Sequence, residues 1–279
     1  MSSTALYIES WHRSRGDAPD ERLGSGTGFL MGIPGDFWLV TAWHVLSGRN
    51  SVTKEVRDKL ARCPDFLRVR FARRGEGGEF EAADENFELY PEGDEFKERP
   101  LWRSPSEQRI DVAALRIGNV PESAEDPFLP NEWPTLRDLH PPDRRAGLRA
   151  DADIDLPLRV ADRLYVLGFP FGDTGSWPFA VWTAALVASE PMRGWDGLPG
   201  FLLDSRTRPG QSGSPVLMHL RPGDSVFVNG DVHLHEEWVT ALVGVYSGRI
   251  NKESDLGMVW TAETLFDLLP QLAPPEPRP

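Results

Sequence analysis

Short apolar runs punctuated by Gly, Pro and Asp dominate the chain: residues 66–72, 111–117, 163–168 and 239–246 each have strand length and turn chemistry at their ends. That pattern predicts an all-β barrel protein. One stretch departs from it, because Val52, Val56 and Leu60 recur at a spacing of four and predict a short amphipathic helix over residues 51–62. A second helix is expected over residues 262–269, ahead of a Pro-rich tail from Pro274 that is expected to be disordered. The Asn229-Gly230 pair inside residues 227–232 carries the signature of a tight hairpin. Residues 118–157, rich in Pro, Asp and Arg with little apolar periodicity, read as a connection enlarged by an insertion. No internal repeat is visible.

Three places along the chain carry candidate chemistry. In Arg208-Pro209-Gly210-Gln211-Ser212-Gly213-Ser214-Pro215-Val216 a serine sits on a turn that only small residues can make, with apolar strand material on both sides. Gly210 lets the backbone fold so that the amides of Gly210 and Ser212 converge on one spot, where a developing oxyanion is held. A serine nucleophile needs a base, and the base needs an orienter. His44 closes the apolar run Phe37-Trp38-Leu39-Val40-Thr41-Ala42-Trp43, and Asp111 is a lone acid opening Val112-Ala113-Ala114-Leu115. The order His, Asp, Ser excludes an α/β-hydrolase, whose nucleophile comes first, and Gly210-Gln211-Ser212-Gly213-Ser214 is one residue short of that fold's Gly-x-Ser-x-Gly elbow.

With these residues in view the chain resembles the trypsin-like (chymotrypsin-fold) serine peptidases, most closely their bacterial branch of glutamyl-endopeptidase and HtrA type. Gly24-Ser25-Gly26-Thr27-Gly28-Phe29 is similar to the first glycine-rich strand, Thr41-Ala42-Trp43-His44 to the histidine box, and Asp111-Val112-Ala113-Ala114-Leu115 to the aspartate box. Val166-Leu167-Gly168-Phe169-Pro170 resembles the opening of the second barrel, and the run from Asp204 to Pro215 resembles the serine box. Residues 242–248 and 256–259 resemble the two strands that wall the specificity pocket. The resemblance implies two six-stranded antiparallel β-barrels, a short helix after His44 and a C-terminal helix. It also implies an acyl-enzyme route through His44, Asp111 and Ser212, an oxyanion hole at Gly210 and Ser212, and Ser247 hydrogen-bonded to the catalytic carboxylate. Gln211 stands where the family has Asn or Asp, and Trp43 where it has a small residue. The animal enzymes' activation sequence is missing, so the site is expected to be preformed or switched by a partner.

The implied organisation is an extension over residues 1–22, a first barrel over 23–120, the connection over 121–160, a second barrel with its helix over 161–272, and a tail over 273–279. Candidate pocket residues are Arg206, Thr207, Tyr246, Gly248, Arg249 and Gly257. Basic-specific relatives have an Asp where this chain has Arg206, which disfavours cleavage after Lys or Arg. Glutamate-specific relatives share Thr207 but carry a His at the place of Tyr246, so an acidic or uncharged P1 residue is expected, with Arg206 or Arg249 as a counter-charge. Gly248 and Gly257 imply an open pocket mouth.

Composition narrows the setting. Hydrophobic residues make up 40% of the 279, no apolar run is long enough to span a bilayer, and residues 1–22 lack a basic segment followed by an apolar core. No membrane association and no secretion signal are expected. Cys63 is the single cysteine, which forbids an internal disulfide and favours the cytoplasm. A net charge of −13 argues against nucleic acid. His233 and His235 alternate on one face of a strand, but no further ligand lies near them, so no metal and no cofactor are expected. Two readings compete: an intracellular bacterial serine endopeptidase acting on protein or peptide substrates, with an activating or targeting partner, and a catalytically silent binding module of the same fold.

Overall fold

The computed structural model describes residues 4–269 except 34, 75–78, 95, 120–157, 173–178, 229–230, 235, 237 and 252. Its first half comprises strands β1 (Ala5–His12), β2 (Glu21–Ile33) and β3 (Asp36–Thr41), helix α1 (Trp43–Ser47), then β4 (Phe66–Arg74), β5 (Phe80–Glu88), β6 (Trp102–Arg103) and β7 (Ala113–Gly118). These strands form one antiparallel sheet in the order β5-β4-β1-β2-β3-β7-β6. The sheet's edges are drawn together where Leu101, entering β6, donates its N–H to the Leu89 carbonyl just past β5, at 2.9 Å. Ile8, Leu39, Leu46, Leu67, Val69 and Leu89 are fully buried inside it.

The second half comprises β8 (Arg163–Gly168), β9 (Val181–Val187), β10 (Gly200–Asp204), β11 (Pro215–Leu220), β12 (Ser225–Val228), β13 (Asp231–Leu234), β14 (Val239–Arg249), β15 (Leu256–Thr261) and helix α2 (Glu263–Leu268). Six of these strands close into a barrel in the order β10-β15-β14-β11-β8-β9, around Leu164, Val166, Phe201, Leu203, Val216 and Val259. β12 and β13 make a separate hairpin in which Val228 pairs with Asp231 across the expected Asn-Gly position.

A third apolar cluster lies between the units. Tyr7, Phe29, Trp38, Val40 and Val112 from the first meet Leu167, Phe169, Leu217, Leu242 and Trp260 from the second, with Leu265 and Leu268 of α2. This explains the unbroken apolar run of β3, whose Leu39 faces its own barrel while Trp38 and Val40 face the other. Each fully buried side chain of this size contributes roughly 1.5–3 kcal/mol, so the interface is part of the core.

The fold is the all-β, chymotrypsin-like double barrel, with three differences of detail. The first unit has seven strands, because residues 5–12, expected within an extension, instead form β1 between β2 and β4. The helix expected over residues 51–62 does not form. Asn50 caps a turn there through its side-chain oxygen, Lys54 and Ala61 adopt positive φ, and Val52 and Leu60 are exposed. The short helix of this region is α1, and it carries His44 instead of following it. The C-terminal helix lies within its expected bounds, while the connection over 121–160 and the tail fall mainly outside the described residues.

Candidate active site

β3 delivers the chain to α1, which Gly48 ends after five residues in a left-handed C-cap, its N–H bonding the His44 carbonyl at 3.0 Å. The His44 backbone N–H lies in the first turn of α1, where an amide has no helical partner. It donates to Asp111 Oδ1 at 2.8 Å, and the His44 ring Nδ1 meets Asp111 Oδ2 at 2.6 Å. Against a carboxylate the ring keeps its proton on Nδ1, which leaves Nε2 as the acceptor. From β14 the Ser247 hydroxyl donates to Asp111 Oδ2 at 2.6 Å. Asp111 is 2% exposed, and burial alone would push its carboxyl up. The His44 ring and the hydrogen bonds from His44 and Ser247 outweigh burial and hold it below the ordinary carboxylate value. The bulky Trp43 is partly buried against the first barrel's core, with Lys54 Nζ 4.5 Å over its ring.

Ser212 sits on a turn between Gly210 at φ 96° and Gly213 at φ 88°. A Cβ on Gly213 would lie 2.1 Å from both the Thr27 carbonyl and the Thr41 hydroxyl, and one on Gly210 would lie 2.3 Å from the Phe169 carbonyl. Small residues are required because the turn is pressed against both barrels. Gln211 is fully buried and spent on the turn: its Oε1 accepts the Arg208 N–H at 2.8 Å and its Nε2 donates to the Thr183 hydroxyl at 2.9 Å. Gly213 N–H bonds the Tyr246 carbonyl at 2.7 Å and Ser214 N–H the Gln211 carbonyl at 3.1 Å. The N–H groups of Gly210 and Ser212 donate to no described residue, and neither does the Ser212 hydroxyl.

His44, Asp111, Ser212 and Ser247 share one cleft of about 930 Å³, which Gly248, Arg249 and Tyr246 also line. The remaining pocket candidates are placed differently. Arg206 lies between buried Ser205 and buried Thr207 on an extended segment, so alternation sends it outward, and it is exposed. Thr207 hydrogen-bonds the Tyr246 hydroxyl beneath the cleft, and the Tyr246 ring covers Gly257 so closely that a Cβ there would lie 2.3 Å from its Cε2. At Gly257 the expected opening is covered by Tyr246, whose hydroxyl burial pushes up to about 12, whereas Gly248 keeps its side of the cleft open, a Cβ there meeting only Ser212 Oγ at 3.7 Å. The cleft also takes Arg57 and Arg208, neither singled out by sequence, since nothing local marks a guanidinium that will face a cleft. Among the described residues no group of three or more His, Cys, Asp or Glu is placed to hold a metal. His235 and the His233 side chain lie outside the described residues.

No curated protein matches the chain. Among solved structures it is similar to the active form of the Rv3671c protease from M. tuberculosis, at 16% identity and a TM-score of 0.47 over 100% of this chain and 84% of that one. It is also similar to a serine endoprotease from Yersinia pestis, at 13% identity and a TM-score of 0.48 over 97% of this chain and 63% of that one. The trypsin-like peptidase domain family matches residues 26–220, well over half of the sequence. On that match the chain belongs to the trypsin-like peptidase family and is a serine endopeptidase by class.

Proposed function

We propose that Ser212, His44 and Asp111 act as a catalytic triad that cleaves peptide bonds through an acyl-enzyme. His44 Nε2 takes the Ser212 proton as Oγ adds to the scissile carbonyl, and the oxyanion is received by the free N–H groups of Gly210 and Ser212. Collapse passes the proton from His44 to the leaving amine and leaves the acyl group on Ser212. Water, activated by His44, then releases the acid. Asp111 keeps the ring in the acceptor tautomer and balances the imidazolium, and Ser247 fixes Asp111 from the second barrel. The carrying observation is the bond from Asp111 to His44 at the rim of the cleft that holds Ser212. The hydrogen bond from Ser212 to His44 is expected to tighten when substrate binds, as in many enzymes whose catalytic hydrogen bonds are long without it. A fluorophosphonate probe tests this reading against the silent binding module: only a serine with a competent base is labelled, and the label should map to Ser212.

A substrate protein or peptide with a small or acidic P1 residue fits the cleft best. Tyr246 covers Gly257 where a long side chain would have to enter, and Arg249 lines the cleft without an ion pair to any described residue. Tyr246→Val should raise kcat/KM for P1 Phe relative to P1 Ala by tenfold or more, in a peptide-library cleavage profile. Efficient cleavage after Arg or Phe by the unmodified protein would refute this account of the pocket. The single cysteine supports an intracellular setting.

A further inference from the structure

In a trans peptide unit the C=O and N–H point in opposite directions, so an N–H is aimed by holding the carbonyl of its own unit on the other side. The Gly210 N–H shares its unit with the Pro209 carbonyl, and that carbonyl accepts the Phe171 N–H at 2.6 Å. The next unit is held by its own carbonyl, because Gly210 O accepts the Thr27 hydroxyl at 2.8 Å across 183 positions of sequence. Glycine at φ 96° has no side chain to resist a flip of either unit. These two bonds resist it, and the Gln211 N–H of the second unit adds a longer one to the Arg208 carbonyl at 3.2 Å.

Both anchors are built for the task. Thr27 is fully buried on β2, its hydroxyl oxygen accepts the Phe169 N–H at 3.3 Å, and its own N–H holds the Ser212 carbonyl at 2.8 Å. The Thr41 hydroxyl in turn holds the Thr27 carbonyl at 2.6 Å. Phe171 stands in the left-handed region at φ 61°, ψ 10°, although it is 71% exposed. A non-glycine residue there is strained, and the hydrogen bond from its N–H to the Pro209 carbonyl is what that conformation secures. Gln211, which follows Gly210, is neutral and already satisfied by Arg208 and Thr183, so it offers no charge for an ammonium group to pair with.

We propose that Thr27 and Phe171 are positioning residues that hold the oxyanion turn open from the two barrels, so that the hole is preformed without a freed N-terminal amine. This rests on Ser212 being the nucleophile. The test compares Thr27→Val, which removes the hydroxyl at nearly constant volume, with Thr27→Ser, which keeps it. For Thr27→Val, the rate constant for labelling by a fluorophosphonate–rhodamine probe should fall ten- to a hundredfold in protein that is folded by near-UV circular dichroism. Turnover of fluorescein-labelled casein should fall in step, in kcat and not in KM, and Thr27→Ser should recover most of the loss. Should Thr27→Val not fold, the exposed Phe171 decides: Phe171→Ile resists the left-handed conformation and should label several-fold more slowly than Phe171→Gly, which adopts it freely. Thr27→Val at the unmodified rate, Thr27→Ser as slow as Thr27→Val, or equal rates for the two Phe171 variants would each overturn the clamp and leave the triad standing. Unmodified protein that neither labels nor cleaves casein would overturn the triad and the clamp together.

Discussion

Ser212→Ala should lower casein hydrolysis by about six powers of ten in kcat, the loss seen when a triad that works as a unit loses its nucleophile. Stability should hardly change, because the Ser212 hydroxyl makes no hydrogen bond to a described residue while the turn is held by its backbone. His44→Ala should lose as much activity and should also cost stability. It strips one ring donor from the buried Asp111 carboxylate and leaves that charge less satisfied. Turnover read beside thermal melting separates the two effects. Near-normal turnover in either variant would remove the triad.

Asp111→Asn should lower kcat by about 10⁴. Three donors converge on the carboxylate: the His44 backbone N–H, the His44 ring and the Ser247 hydroxyl. An amide supplies one acceptor oxygen and turns an N–H₂ toward the rest. The ring answers by moving its proton to Nε2, where it faces Ser212 and cannot accept. At neutral pH the variant should also be less stable than the unmodified protein. Because the folded state holds the Asp111 carboxyl below the ordinary aspartate value, this carboxylate contributes fully above that value, and the contribution is lost as pH falls through the lower folded value. Urea unfolding should therefore show the stability gap steady from pH 7 to pH 5 and closing below about pH 4. A gap that closed already between pH 7 and pH 5 would show that Asp111 is not held as an anion by these three donors.

Much of the fold was legible because its signals are local. Strand-length apolar runs ending in Gly, Pro and Asp marked the barrels, and the small residues around Ser212 marked a turn that side chains cannot enter. The spacing of Val52, Val56 and Leu60 misled, since three apolar residues with no surface to cover them do not repay ordering a helix, and Asn50 offers the backbone a turn instead. β1 escaped notice because its position between β2 and β4 depends on partners that begin nine and fifty-four residues after its own end, at Glu21 and Phe66.

Sequence by itself determined the barrel class, the order His44, Asp111, Ser212, and the turn that presents the serine, because each is written in residues adjacent along the chain. Tertiary structure decided which side chains those elements meet. It turned Tyr246 over Gly257, sent Arg206 outward and laid Thr27 on Gly210. Those contacts lie across strands or between barrels, and a periodicity read along one strand carries no information about what packs across it.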